Sequence, residues 1–393
     1  MSLAADRSGL PLRALGGIFG GLFCGYVGLT AAIPVLPGFV KDRFGAANVA
    51  VGLVVTGTAV TALLTRPIVG GLADRHGHRL LMQFGAVIVA AGGALYFVHL
   101  SLAGLVVVRL LIGVGEAALF TAGAVWAVAL SPHDRRGQLI GLYGVSMWGG
   151  ISVGTLLGGV LQRVSFGAVW ACCMAIPLAG FALITAVPAP PRMPRAAGRG
   201  LRLRPALLPG TGLALAAAGY AGLASFIVLF MRSRGIHQGV LVLTVYSAVY
   251  AGTRLVIGHL PDRLGPRRVA AWSGAGEAAG LLIIATAPDL AVALAGSVVM
   301  GAGFSLLHPS LALMVMNRAG PGQQGAALGA YTSFWDLGLT VWGPVTGVIA
   351  SGFGYQAVFF LGAGCAAAAA ALAFVIGRPV ASDLAISTGP RMV

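Results

Sequence analysis

The sequence predicts an all-α integral membrane protein: twelve transmembrane helices in two pseudo-symmetric six-helix bundles, with both termini cytoplasmic. Three observations carry this. Apolar residues make up 58% of the 393 and charged residues only 9%, with a mean hydropathy of +0.92, too few charges to cover a water-facing surface. Twelve continuous apolar segments are long enough to cross a bilayer, which takes about 20 residues. The two halves also repeat without gaps at an offset of 188 residues.

The segments run over about 14–40, 48–73, 80–100, 103–130, 138–161, 167–187, 206–231, 239–260, 269–287, 290–317, 325–350 and 355–377. None alternates with period two, which excludes barrel strands. The first run is too long for the apolar core of a cleavable leader. Orientation follows from the basic residues. With both termini inside, the cytoplasmic segments hold 17 lysines and arginines and the outer loops five. The stretch PAPPRMPRAAGRGLRLRP, 188–205, stops helix continuation with its prolines and is held at the cytoplasmic face by five arginines. It divides the chain into an N-terminal bundle (1–187), a basic linker (188–205) and a C-terminal bundle (206–393).

The net charge of +15 sits in short clusters between apolar runs, not on one stripe, which argues against a nucleic-acid partner. The four cysteines, Cys24, Cys172, Cys173 and Cys365, lie in apolar segments without metal-ligand spacing, so they read as small hydrophobes and no metal site is expected.

The repeat is specific in its charges. Thr65-Arg66 recurs as Thr253-Arg254, and Gly70, Asp74, Arg75, Gly77 and Arg79 as Gly258, Asp262, Arg263, Gly265 and Arg267. Gly113, Gly115 and Tyr143 recur as Gly301, Gly303 and Tyr331. Two parallel six-helix repeats are one of the recurring transporter architectures.

The stretch GGLADRHGHRLL, 70–81, resembles the signature GxLaDrxGrk of the major facilitator superfamily, and GHLPDRLGPRR, 258–268, is its degenerate copy. The resemblance covers the whole chain. It implies a cytoplasmic gate in which Asp74 lies against the positive end of the eleventh span while Arg75 and Arg79 pair across the short loop. VGLTAAIPVLP, 27–37, is similar to the helix-1 pattern of twelve-helix drug/proton antiporters at Gly28, Pro34 and Pro37, and suits a helix that bends around a cavity. RLLIGVGEAA, 109–118, resembles the family's fourth-span motif, whose arginine, here Arg109, is associated with proton coupling. The fifth span reads GISVGTLLGG, 150–159, with Thr155 where antiporters carry proline. The closest resemblance is to the small efflux branch that includes sugar-efflux-like and metallophore exporters.

Ionisable groups within the membrane are costly and need partners or water. They are Arg66, Arg109, Glu116, Arg254, Glu277, His308 and Asp336. Depth, at about 1.5 Å per residue, places Arg254 level with Glu277, a pair that can be structural or coupling. Asp336 belongs to a polar stripe with Thr332, Thr340, Gly343 and Gly347, level with Arg66. His308 precedes Pro309 and can titrate near neutral pH or simply pack at the kink.

The expectation is a secondary transporter of the cell inner membrane. It exports a small organic molecule, drug-like compound or metabolite, in exchange for protons, with Asp336 and Glu116 as proton carriers. Direction is not encoded, so proton-coupled uptake stays open, and a non-transporting receptor or scaffold is the rival from another class. No phosphate-binding loop, HExxH or nucleophile elbow is present, so no enzyme activity and no cofactor are expected and the proton gradient supplies the energy. Partners are the substrate, protons and the lipid bilayer, and the chain is expected to work as a monomer.

Overall fold

The computed structural model describes residues 10–130, 136–187, 204–319 and 324–376, and over these the chain is helical. The linker expected at 188–205 falls almost wholly outside them. The first span is broken. Pro34 has no N–H to donate, so α1 (Leu10–Ala31) gives way to turns, and α2 (Leu36–Phe44) restarts with proline in its first turn. The carbonyl of Thr30, which Pro34 leaves without its donor four residues on, accepts from Ile33 at 3.0 Å, and that of Ala32 from Val35 and Leu36 at 3.1 and 2.9 Å. Next come α3 (Asn48–His76), α4 (His78–Leu95), α5 (Leu102–Ala129), α6 (Arg136–Leu161) and α7 (Phe166–Thr185).

The second half holds α8 (Arg204–Ser233), α9 (Gly239–Ile257), the short α10 (Leu260–Leu264) and α11 (Pro266–Thr286). The tenth predicted span is split at Leu306 into α12 (Leu290–Ser305) and α13 (Leu307–Arg318), followed by α14 (Gln324–Phe353) and α15 (Tyr355–Ile376). Among the described residues eleven candidate membrane spans are long and apolar enough to cross a bilayer, with α1 and α2 as one and α12 and α13 as another. Helix α14 has the length but not the hydropathy. Its threonines, glycines and Asp336 dilute it, and it packs against α3, α8 and α15.

The repeat reappears as packing. A Cβ at Gly113 would strike the Thr58 carbonyl, and one at Gly301 would lie 2.6 Å from the Tyr246 carbonyl, the equivalent position. Gly77 and Gly265 both turn the chain with positive φ, 99° and 86°, where a side chain would be strained. Tyr143 donates to the Phe120 carbonyl at 2.7 Å, and Tyr331 to the His308 carbonyl at 2.9 Å. Tyr143→Phe and Tyr331→Phe should therefore lower stability by similar amounts, about 0.5–1.5 kcal/mol each, in thermal unfolding of the purified protein. Unequal losses would mean that one of the two bonds is not formed.

Among the described residues the halves meet chiefly at two helix pairs, α3 with α14 and α6 with α9, with smaller contacts of α2 and α3 on α8. They meet closely at one end only. Gly52 packs on the Gly343 backbone and Gly347 on Asn48 and Val49, while Gly159 receives Val240 and Ser152 donates to the Thr244 carbonyl. One turn beyond Arg66 on the same face of α3, and two turns before Asp336 on α14, a Cβ at Gly70 or Gly329 would meet nothing within 4 Å. Among the described residues α3 and α14 therefore touch at the Asn48 end and part at the Gly70 end.

Candidate functional site between the two halves

Arg66 of α3 and Asp336 of α14 form a bidentate ion pair across the two halves. Arg66 Nε lies 2.5 Å from Oδ2 and Nη2 3.1 Å from Oδ1. The Asp336 side chain is 3% exposed and that of Arg66 13%, so the pair is shielded without being sealed. The guanidinium also stands over the Phe120 ring, 5.0 Å from its centroid. One turn further along α3, at Gly70, a Cβ would meet nothing within 4 Å.

Glu116 of α5 accepts a hydrogen bond from the Tyr26 hydroxyl of α1 at 3.3 Å and lies within electrostatic reach of Arg66. Arg109, although on the same face of α5, is committed elsewhere. It is fully buried and donates from Nε and Nη2 to the carbonyls of Val54 and Val55, each at 2.7 Å. These bonds clamp α5 to α3 and keep its guanidinium out of the Arg66–Asp336 contact. Tyr26 is a site residue that the sequence does not mark, having no counterpart in the repeat: Ala214 stands there.

The expected pair of Arg254 and Glu277 is not formed. Arg254 donates to Tyr250 at 3.2 Å on its own helix, and both carboxylate oxygens of the fully buried Glu277 lack a hydrogen-bond partner. The cause is topological. Helix α12 packs between α9 and α11, so equal depth does not bring the two side chains together. Arg254 instead lies across the interface against Gly144 of α6, as Arg66 lies against α14. Oε1 of Glu277 occupies the space a side chain on Gly219 would need. Glu277→Met should accordingly hold or raise the unfolding temperature, because a buried polar group without a hydrogen-bond partner costs about 1–3 kcal/mol, which an apolar side chain of similar volume removes. A marked fall would show that the carboxyl has a structural partner.

His308 opens α13, its Nδ1 without a hydrogen-bond partner and its ring 5.2 Å from that of Tyr331. Pro34 and Pro37 are buried, so the break in the first span closes a packed end instead of bending around an open cavity. Gly28 lets α1 cross α7, since a Cβ there would overlap the Pro177 ring. The side chain of Asp74 is outside the described residues. Arg79 donates to the Thr185 carbonyl at the end of α7 at 2.6 Å, and among the described residues neither it nor Arg75 forms an ion pair. Its equivalent, Arg267, stands 5.5 Å over the Phe374 ring near the end of α15, again the symmetric place. Asp262 and Arg263 are exposed. Cys172, Cys173 and Cys365 are buried, Cys24 is partly so, and all are free thiols.

An aromatic cluster borders the ion pair. Trp148 of α6, the repeat mate of Asp336, lies tilted by 31° against Tyr250 at 3.9 Å and contacts Tyr220, Tyr246 and Trp335 at 5.7, 6.2 and 6.4 Å. One ring of the first half is thus set into four of the second.

The sequence model of the Major Facilitator Superfamily matches twice, over residues 18–241 and 210–390. An uncharacterized MFS-type transporter of Salmonella typhimurium (strain LT2) is 31% identical over 371 residues, 91% of this chain and 95% of that protein. The chain belongs to the Major Facilitator Superfamily. An uncharacterized MFS-type transporter of Burkholderia mallei (strain SAVP1) is 32% identical over 364 residues, covering 90% and 89%. Among solved structures, a bacterial homolog to the human lysosomal transporter Spinster, in an inward-facing and occupied conformation, superposes with a TM-score of 0.80 at 15% identity, covering 96% of this chain and 99% of that one. A D-xylose-proton symporter gives 0.77 at 15% identity, covering 93% and 97%. This major facilitator protein is therefore a multi-pass membrane transport protein.

Proposed function

We propose that this chain is a twelve-span transporter of the cell inner membrane, both termini cytoplasmic, which exports a small organic molecule in exchange for protons. The observation that carries the reading is the shielded Arg66–Asp336 ion pair, placed where the interface between the halves opens. A guanidinium held on both carboxylate oxygens needs an ionised acid, and a proton on Asp336 removes that acceptor. Protonation then loosens the contact that holds α3 on α14, and residues 1–187 rock against 206–393 about the linker 188–205. Glu116, bonded to Tyr26 and near Arg66, is the second proton carrier. In this reading the arginine bias puts the open Gly70 end on the cytoplasmic side, the carrier faces inward, and Asp74, Arg75 and Arg79 edge the cytoplasmic gate.

The energy source in this reading is the proton gradient, with no cofactor, and one solved protein of the same fold is a D-xylose-proton symporter. The test uses inside-out vesicles loaded with a pH-indicating dye and acidified internally. A transported compound from a library of drug-like molecules and metabolites should collapse the gradient while it accumulates inside. Accumulation without proton movement would remove the coupling. Proton-driven accumulation in right-side-out vesicles alone would reverse the direction.

A further inference from the structure

The charges between the halves are not balanced. Arg66 has Asp336, Glu116 has the Tyr26 hydroxyl, and Arg109 bonds two backbone carbonyls. Among the described residues Arg254 forms no ion pair, and its Nη1 bond to Tyr250 leaves the Nε–Nη2 edge without a protein acceptor. That edge is the fork that grips two oxygens at once.

Its surroundings fit a missing anion. The guanidinium is partly exposed and lies across the interface from Gly144, where a Cβ would be 3.6 Å from Cζ and 3.7 and 3.8 Å from the two terminal nitrogens. Glycine there lets α6 approach the guanidinium without a side chain beside its terminal nitrogens. His308, with Nδ1 unpartnered, lies within electrostatic reach of the same guanidinium. The repeat shows what is absent. Arg66 faces Asp336, but the position of α6 that corresponds to Asp336 is held by Trp148, whose ring lies tilted against Tyr250. One arginine meets a carboxylate of the chain, and the other meets the Tyr250 hydroxyl and the backbone at Gly144.

We propose that Arg254 anchors an oxyanion of the transported molecule, a carboxylate or phosphonate on a small apolar or aromatic body that packs on Trp148 and Tyr250. The inference rests on the space between the halves being the substrate path, but not on proton coupling. It reassigns Arg254 from a partner of Glu277 to a determinant of specificity.

The test is equilibrium binding to purified protein in phosphatidylcholine nanodiscs, whose headgroups carry no net charge. The probes are benzoate, phenylphosphonate and the uncharged benzamide, and the signals are tryptophan fluorescence and unfolding temperature. Both anions should quench the fluorescence and stabilise the protein, and benzamide should do neither. Arg254→Gln should weaken anion binding by roughly tenfold or more, Arg254→Lys less, and the exposed Arg232→Gln not at all. An equal response to benzamide, equal losses in Arg254→Gln and Arg232→Gln, or no response to either anion would overturn the anchor. Should Arg254→Gln not fold, the anions should protect Arg254 of the unaltered chain from phenylglyoxal, read by mass spectrometry, and absence of protection overturns the proposal. Displacement of benzoate by phosphatidylglycerol in the nanodisc would assign the fork to a lipid headgroup and overturn it as a substrate anchor. Binding needs no gradient, so intact anion binding with failed proton exchange would fault the coupling reading alone.

Discussion

Gly52→Val is expected to abolish transport while the chain remains inserted and helical. A Cβ at Gly52 would fall on the Gly343 carbonyl oxygen, with the carbonyl carbon at 2.7 Å and Pro344 N at 3.4 Å. These are backbone atoms of the facing helix, so no rotamer change makes room. Overpacking typically costs about 1–3 kcal/mol, and here it falls on the closed end of the interface and not on either bundle alone. The variant should be held with the Asn48 end apart, unable to complete a cycle. A cysteine introduced at Asn48, which is 9% exposed, should then react with maleimide faster in Gly52→Val than in its absence. Gly38, where a Cβ meets nothing within 4 Å, provides the control: Gly38→Ala should transport normally. Normal flux in Gly52→Val would mean that the α3–α14 contact at this end is not part of the cycle.

The repeat makes more of the site legible than depth does. An offset of 188 residues pairs Gly77 with Gly265 and Tyr143 with Tyr331, and in both cases the structure shows the same φ or the same hydrogen bond twice. The polar stripe through Asp336 is readable because threonine, aspartate and glycine recur on one face of an otherwise apolar helix. Arg254 and Glu277 do not pair because consecutive spans need not be neighbours in space. Depth along a helix is a one-dimensional quantity, and α12 intervenes between α9 and α11. The repeat itself contains the better answer: if Arg66 reaches across to α14, its copy reaches across to α6. Tyr26 and the backbone bonds of Arg109 have no sequence signal, since neither a lone tyrosine nor a carbonyl acceptor is marked by residue type. The same applies to the contact at Gly52, where one glycine among 61 decides how closely two helices approach.

Asp336→Asn should abolish accumulation driven by a proton gradient and leave substrate binding and counterflow largely intact. A proton carrier must be neutral in one conformation and ionised in another. The bidentate contact, 2.5 and 3.1 Å from Arg66, is available only to the ionised acid, and rocking the halves is the motion that makes or breaks it. Asparagine keeps one oxygen to accept from Arg66 but can neither take nor release a proton, so the bundles can still exchange under a substrate gradient while the coupling is lost. A static salt bridge predicts a different pattern. Removing one partner of a buried pair costs about 3–5 kcal/mol, because the other charge is left uncompensated, so folded yield and every transport mode would fall together. Reconstituted vesicles separate the two outcomes: driven accumulation is measured under an imposed pH gradient, and counterflow without one, each normalised to folded protein. Full gradient-driven accumulation by Asp336→Asn would sink the carrier role of this residue. The role would then pass to Glu116, and Glu116→Gln in the same two assays should show the split that Asp336→Asn did not.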